Sequence, residues 1–271
     1  MKGKLDIRPT NETLDYILAH RCSVSRFGDG EFNIIKGGGN DFCNYDPFLA
    51  EKLKEVLTTD APNHIIGLPH GLISQDNYTL RVRVFWISYF CKTFDYFIKY
   101  LKPGKVYYDA GFTRFYWPYK NKSGCHEYVQ KLKQLWEKQD ILLIEGEYSR
   151  LGVNNDLFDN ASSIERILGP TKNAYTKYQE ILNAAAVHGK SKLILIALGQ
   201  TATALAYDMA KQGLWAIDIG HIDIEYEWFL RKAKHKIKIE GKHVNEAHDY
   251  VPTEVIFDNE QYEKQIIAKI L

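Results

Sequence analysis

The sequence predicts an α/β protein with a Rossmann-like, mostly parallel sheet flanked by helices. Apolar runs of strand length alternate with amphipathic stretches, and the run at 193–198 is typical of a strand buried on both faces. Polar clusters directly follow three of these strands, and open α/β sheets bind ligands beyond the carboxyl ends of their strands. This layout is typical of nucleotide binding, although the sequence lacks the GxGxxG and GxxxxGK(S/T) phosphate motifs.

The first half of the chain begins with a helix predicted at 11–19, which Thr10 caps. Asp46 caps a later helix in the same way. The segment 82–101 is apolar nearly all round, which predicts a buried helix. The other elements predicted in this half are strands at 22–27 and 65–69 and helices at 32–35 and 47–57.

The second half centres on one strand, helix, strand unit. Gly199 ends its first strand, and Thr201 and Thr203 begin a helix whose unpaired N–H groups and positive dipole suit a phosphate. That helix ends at Gly213, a residue that readily adopts the left-handed C-cap conformation. The other elements predicted in this half are strands at 105–108, 141–144 and 214–219 and helices at 127–137 and 174–187.

Composition limits the classes of function. The chain has 35 Lys and Arg against 34 Asp and Glu among 271 residues, so it lacks an overall field for nucleic acid or membranes. Four widely spaced cysteines without a CxxC pair or a secretory signal indicate reduced, buried thiols in the cytoplasm. No apolar run reaches the length of a membrane span. We expect one domain over 1–271, although the abrupt end after a helix-like 259–271 would also fit a domain cut from a longer protein.

A pair of acidic residues follows the strand at 22–27. One glycine separates Asp29 from Glu31, and a tight turn would point both carboxylates at one hard cation such as Mg²⁺ or Mn²⁺. Arg26 beside them could neutralise a diphosphate through a bidentate contact. Asp-Gly is also a common turn dipeptide, so a plain turn remains an alternative.

The segment 145–156 follows the strand at 141–144. It combines a guanidinium group, hydroxyls, amides and carboxylates, which is the inventory needed to bind a nucleoside with ribose and diphosphate. Such groups also stabilise turns, so part of this segment would serve the loop itself.

Another charged cluster follows the strand at 214–219. Four acids and a histidine within ten residues favour a functional site at this strand end. A solvated helix face is the alternative for Glu225 and Glu227, and a loop-holding role is the alternative for Asp218. The cluster consists of Asp218, His221, Asp223, Glu225 and Glu227.

Together these motifs resemble the bacterial glycosyltransferases of the GT-D fold, which were first catalogued as a domain of unknown function. The resemblance covers nearly the whole chain, and the combination is specific although each motif alone is weak. Gln200 replaces an expected proline, a change that we expect to be tolerated. The motifs are RFGDGE at 26–31, EGEYSRLGVNNDLF at 145–158, LGQTATALAYDMA at 198–210, DIGHIDIEYEW at 218–228 and GKHVNEA at 241–247.

The resemblance implies the GT-D fold and a metal-dependent transferase. Such an enzyme moves a sugar, here expected to be a hexose such as glucose, from a UDP-sugar donor to a glycan or glycoprotein acceptor. The products expected are surface glycoproteins such as serine-rich adhesins, or capsular and cell-wall polysaccharides. The Asp-x-Glu pair, Asp29 and Glu31, would hold Mn²⁺ or Mg²⁺ against the diphosphate. Related domains are often fused to a second transferase domain.

The same hypothesis gives the remaining polar residues their roles. Arg26 and Arg150 would add positive charge at the leaving group. The candidates for base and acceptor contacts are His221, Asp223 and Glu225. The residues expected to grip the nucleotide are Ser149, Asn154, Asn155, Thr201 and Thr203, and His243 and Glu246 would close the site from the other side. A purely structural role is the alternative for His243.

Two other functions fit part of the pattern. A metal-dependent phosphohydrolase or nucleotidyl enzyme would use the paired acids and phosphate seat equally well, with water as its sole acceptor. A catalytically silent sugar-binding or scaffolding domain would bind ligand regardless of Asp29 and Glu31, and the intact acidic motif argues against it.

Overall fold

A computed structural model describes residues 5–243 and 259–271. One nine-stranded sheet runs through them. The strands are β1 Asp6–Ile7, β2 Ser23–Arg26, β3 His64–Leu68, β4 Val106–Asp109, β5 Asp140–Gly146, β6 Ser163–Gly169, β7 Leu193–Ala197, β8 Trp215–Asp218 and β9 Ile266–Lys269. The helices are α1 Thr10–His20, α2 Asp29–Lys36, α3 Pro47–Thr58, α4 Leu80–Phe97, α5 Cys125–Lys133, α6 Tyr178–His188, α7 Gln200–Lys211, α8 Ile222–Leu230 and α9 Glu260–Gln265.

The sheet is parallel throughout and has the order β1-β4-β3-β2-β8-β7-β5-β6-β9. The two halves of the chain meet where β2 pairs with β8, at Val24 and Ile217. Because neighbouring strands are parallel, their carboxyl ends lie along one edge of the sheet. The predicted α/β class with a mostly parallel, helix-flanked sheet is therefore confirmed.

Apolar side chains cover both faces of the sheet. In β5, Ile141 and Leu143 pack on one face with Trp136 and Trp228, while Leu142 and Ile144 pack on the other with α6 and α7. This alternation explains why the central strands have nearly continuous apolar sequences. Helices α1, α5 and α8 therefore lie on one side, and α6 and α7 lie on the opposite side.

The edge beyond β5 differs from the sequence prediction. The prediction lacked β6, in which the charged pair Glu165 and Arg166 interrupts the apolar run. Arg166 is 2% exposed because its guanidinium pairs with the buried Glu145 carboxylate. The helix-like interpretation of 259–271 holds only for α9, and the chain then forms β9 beside β6.

Helix α4 contradicts the prediction of a buried helix. Leu80, Val84 and Ile87 expose 72%, 58% and 49% of their surface, and only Val82, Thr93 and Phe97 are buried. The helix packs with one side against α2 and leaves the other side outward. An apolar sequence on all faces identifies the helix but does not show which faces find partners.

The cysteines and the helix lengths test two further expectations. All four cysteines are free thiols, and Cys91 is exposed whereas the other three are buried. Within the described residues, every helix is too short or too polar to cross a bilayer.

Candidate active site

A cavity of about 570 Å³ opens at the carboxyl edge of the sheet, beyond β2, β7 and β8. Ligand sites typically have volumes of roughly 300 to 1,000 Å³, so the cavity is large enough for a small-molecule substrate. The loops after these strands form its floor, and the beginning of α4 and the segment 232–243 form part of its rim. We call the segment 232–243 the strap.

Asp29 and Glu31 both line this cavity from the first turn of α2. The helix begins three residues earlier than predicted, so the acids lie in a helical turn and not in a separate tight turn. Glu31 also accepts a hydrogen bond of 2.6 Å from the Gly28 backbone N–H, which satisfies an N–H group at the start of the helix. Negative side chains at this position are further stabilised by the helix dipole.

The acidic side chains of Asp29, Glu31 and Asp218 lie close enough to repel one another. Burial, followed by the neighbouring Asp218 and Asp29 carboxylates, raises the pKa of Glu31 to about 8. Such a set of oxygen atoms fits a hard divalent cation. Within residues 5–243 and 259–271, no group of three His, Cys, Asp or Glu side chains is arranged to hold a metal.

Arg26 projects from the end of β2 toward Asp218 at the end of β8. Its Nε lies 3.4 Å from Asp218 Oδ1, and its Nη1 donates to the Ala110 carbonyl at 2.9 Å. Gly220 leaves no room for a Cβ beside the guanidinium group and has φ +48°. Arg26 therefore lines the cavity in a fixed position, and part of its charge is balanced by Asp218.

The beginning of α7 forms another part of the floor. Gly199 has φ +55°, a conformation that favours glycine, and it directs the chain into the helix. Thr201 lines the cavity, whereas Thr203 lies behind it and donates to the Arg26 carbonyl at 2.8 Å. Gln200 packs its amide on Gly30, where an added Cβ would overlap it.

The loop after β5 contributes fewer cavity residues than predicted. Ser149 lines the cavity. Arg150 instead donates to the Gly241 carbonyl at 2.7 Å, and Asn154 is exposed outside the cavity. The Asn155 amide donates to Asp223 at 2.8 Å and to Glu227 at 2.7 Å.

Of the three predicted base or acceptor contacts, only His221 lines the cavity. Asp223 is fully buried and accepts hydrogen bonds from the Gly152 backbone and Asn155, both at 2.8 Å. Glu225 is also fully buried and accepts the Tyr116 backbone N–H at 2.8 Å. These contacts give Asp223 and Glu225 a structural role, because their carboxylates hold neighbouring loops and lie outside the cavity wall.

His221 and Arg114 contact each other on the cavity wall. Arg114 Nη2 lies 3.3 Å from His221 Nδ1, and Arg114 also pairs with Glu225 at 3.5 Å. Because guanidinium can only donate, Nδ1 is the acceptor in this contact. Arg114 therefore orients the His221 ring on the cavity wall.

The strap is attached to α8 by a buried ion pair. Lys242 is 4% exposed, and its Nζ lies 2.7 Å from Asp223 Oδ2 and 3.2 Å from Glu227 Oε1. The next residue, His243, lines the cavity and donates its backbone N–H to the Tyr148 carbonyl at 2.9 Å. The predicted Glu246 lies outside the described residues.

Several cavity residues lie outside the predicted site. The beginning of α4 contributes Arg81 together with Phe85 and Trp86, and the buried-helix interpretation had removed the two aromatic residues from consideration. Lys236 enters from the strap and lies 4.5 Å above the Trp117 ring. The run of lysines in 232–238 is a sequence signal that would have identified this part of the rim.

Solved structures with this fold have closely similar architecture. One described as a new glycosyltransferase (domain of unknown function 1792) from Streptococcus sanguinis has a TM-score of 0.94 and 36% identity, covering 99% of this chain and all of the other. A second, described as a highly conserved domain of unknown function with a distinct glycosyltransferase fold, has a TM-score of 0.92 and 37% identity, covering 98% of this chain and 95% of that chain.

Curated relatives and a family model agree with these structures. Probable glycosyl transferase Gly of Streptococcus gordonii is 38% identical over 270 residues, which are 98% of this chain and 39% of the relative. Glycosyltransferase GlyD of Streptococcus pneumoniae is 34% identical over 268 residues, which are 98% of this chain and 33% of the relative. The chain thus spans well under half of these relatives, while residues 24–247 match the model of the glycosyltransferase GT-D fold. The chain therefore belongs to the GT-D-fold family of glycosyltransferases.

Proposed function

We propose that this domain is a metal-dependent glycosyltransferase that moves a hexose, glucose in the first instance, from a UDP-sugar to a glycan acceptor. The acceptor glycan would belong to a bacterial surface glycoprotein or polysaccharide, and the domain would act beside a second transferase domain. Family membership and the names of its relatives support sugar transfer. The donor, cation and acceptor are inferences from the cavity.

The convergence of three strand ends on one cavity carries this proposal. Asp29 and Glu31 follow β2, the beginning of α7 follows β7, and Asp218 ends β8. This arrangement places acidic oxygens beside a helix N-terminus, which is a favourable seat for a diphosphate. A sugar diphosphate with a divalent cation matches both features at once.

Asp29 and Glu31 are the residues that would hold Mn²⁺ or Mg²⁺. When bound, the cation supplies positive charge to the diphosphate leaving group. The position of Glu31 beside Asp218 and Asp29 supports this assignment, because a divalent cation would offset the repulsion between these carboxylates. The remaining oxygen ligands would come from the diphosphate and from water, as is usual for Mg²⁺.

The protein's own groups would stabilise the leaving group from other sides. The N–H groups at the beginning of α7 and the Thr201 hydroxyl can donate to phosphate oxygens. Arg114 contributes positive charge at the cavity wall, where it also contacts the His221 ring. Hydrogen-bond donors fixed before the reaction stabilise developing negative charge without reorganisation.

Product analysis tests the proposal. We expect UDP release from UDP-glucose when the domain is incubated with Mn²⁺ and saccharide acceptors, with a new glycosidic product detected by mass spectrometry. Asp29→Asn should abolish product formation, whereas Asp76→Asn, an exposed residue outside the cavity, should not. Turnover of simple phosphate esters without any glycosidic product would contradict the transferase function and support a phosphohydrolase instead.

A further inference from the structure

The exposed face of α4 divides into two parts that differ in their relation to the cavity. Arg81, Phe85 and Trp86 line the cavity rim, whereas Val84 and Ile87 lie on the same helix outside it. Phe85 is 46% exposed, so its ring offers accessible apolar surface. The function proposed above assigns no role to these side chains.

The aromatic side chains form a supported group. Trp86 stacks on Phe90 with ring centroids 4.9 Å apart and an interplanar angle of 17°. Phe85 stacks on Tyr89 at 5.9 Å and 18° and meets Trp86 edge to face at 5.2 Å. Each ring is therefore held by a neighbour, which lowers the entropy lost when a ligand binds.

This group is also connected to the proposed donor site. The Tyr89 hydroxyl donates to the Asp29 carbonyl at 2.9 Å and contacts Asn33 Oδ1 at 3.0 Å. Helices α2 and α4 pack directly against each other. A ligand on Phe85 and Trp86 would thus occupy a fixed position relative to the acidic residues.

We propose that Arg81, Phe85 and Trp86 form the acceptor subsite and that its occupant is a pyranose ring of the acceptor glycan; this proposal rests on the function proposed above. Aromatic rings match the apolar C–H face of a pyranose, and the indole N–H and guanidinium group can donate to its hydroxyls. Within the described residues, Arg81 has no ion-pair or hydrogen-bond partner in the protein, so these donors are available.

The position of the rings favours a sugar over a protein surface. Trp86 is only partly exposed and lies in the cavity wall, where a narrow chain reaches it more readily than a flat surface. A protein partner would instead use the outward side chains Val84 and Ile87, which are 58% and 49% exposed. These two residues therefore provide matched controls on the same helix.

Saturation-transfer NMR tests the subsite directly. The probes are methyl β-glucoside and methyl N-acetyl-β-glucosaminide, each added to the full chain with UDP and Mn²⁺. We expect Phe85→Ala to weaken binding of at least one probe by roughly three- to tenfold, the range expected for one aromatic contact. Trp86→Phe, which keeps an aromatic ring, should lose less glycoside affinity than Trp86→Ala. Val84→Ala and Ile87→Ala should bind the glycosides as tightly as the wild type does.

A parallel measurement of UDP affinity separates the subsite from the donor site. Phe85→Ala should keep the wild-type UDP affinity and thermal midpoint, since Phe85 is half exposed and outside the proposed cation site. Unchanged glycoside binding in Phe85→Ala, equal losses in Val84→Ala or Ile87→Ala, or a parallel loss of UDP affinity would each overturn the subsite. Phe85-dependent glycoside binding by a chain that does not bind UDP would support the subsite and refute the proposed donor.

Discussion

At the scale of single residues, close backbone approaches fix the polar groups of the cavity. Gly30 separates the two acids of α2 and lies directly beneath the Gln200 amide. Gly220 similarly makes room for the Arg26 guanidinium. Both glycines let a side chain from another strand end approach the backbone, so the cavity depends on them for its shape.

A double-mutant cycle tests the contact between Gly30 and Gln200. Gly30→Ala should destabilise the fold by about 1 to 3 kcal/mol, since the added methyl group overpacks the site. Combining it with Gln200→Ala should remove most of that cost. Urea unfolding measures each step, with Gly124→Ala as the control because a Cβ there meets no atom within 4 Å. Additive effects of the two substitutions would contradict the contact.

At the scale of elements, α8 organises its surroundings through carboxylates that lie outside the cavity. Glu225 holds the 114–117 loop, and Asp223 and Glu227 hold the strap through Lys242. Within the described residues, Lys242 is the cation paired with Asp223, whereas Glu227 also pairs with Arg231 at 3.0 Å. A buried acid destabilises the fold once its cation is removed. The three acids of α8 thus support the cavity wall from behind.

Removal of that lysine should be costly. Lys242→Met leaves Asp223 buried without its cation, while Glu227 keeps Arg231 at 3.0 Å, so we expect the free energy of unfolding to fall by about 3 to 5 kcal/mol. Lys264→Met is the matched control, since its pair with Glu260 is at the surface, with side chains 72% and 82% exposed. The control should change stability by less than about 1 kcal/mol. Similar small effects in both variants would rule out a stabilising role for the Lys242 contacts.

The elements also show where prediction from sequence succeeds and where it ends. The central strands were predictable because strands buried on both faces need continuous apolar runs, as in β7. Strand β6 was not, since the burial of Arg166 depends on Glu145 in another strand. Likewise, the sequence indicated Glu225 as a candidate site residue but could not show that its carboxylate accepts hydrogen bonds from the backbone N–H groups of Tyr116 and Trp117. Contacts between distant segments decided these roles.

At the scale of the whole molecule, the histidine His64 makes the free energy of unfolding depend on pH. His64 begins β3, and its Nε2 lies 2.8 Å from Ser25 Oγ in β2, whose own proton is donated to the Thr203 carbonyl at 2.6 Å. Burial, followed by the nearby Lys105, lowers the pKa of His64 to about 4. The folded protein therefore keeps this imidazole neutral at pH values where the unfolded chain protonates it.

Stability should fall as the pH decreases from about 6.5, the ordinary histidine value, to about 4. In this window the unfolded chain binds one more proton at residue 64 than the folded chain, so acid favours unfolding. The His64 contribution amounts to roughly 3 kcal/mol across the window. Urea unfolding of the wild type and His64→Gln at both ends measures it, and equal pH slopes would refute it.

In the proposed function, the acids of α2 bind a divalent cation that holds the diphosphate of a UDP-sugar. Calorimetric titration of UDP into the wild type with Mn²⁺, into the wild type with EDTA, and into Glu31→Gln with Mn²⁺ tests this most directly. Glutamine can still accept the Gly28 N–H while losing the charge, so the helix cap is retained. We predict clear UDP binding only in the first titration. Equal UDP affinity in all three, or no UDP binding in any, would contradict the account.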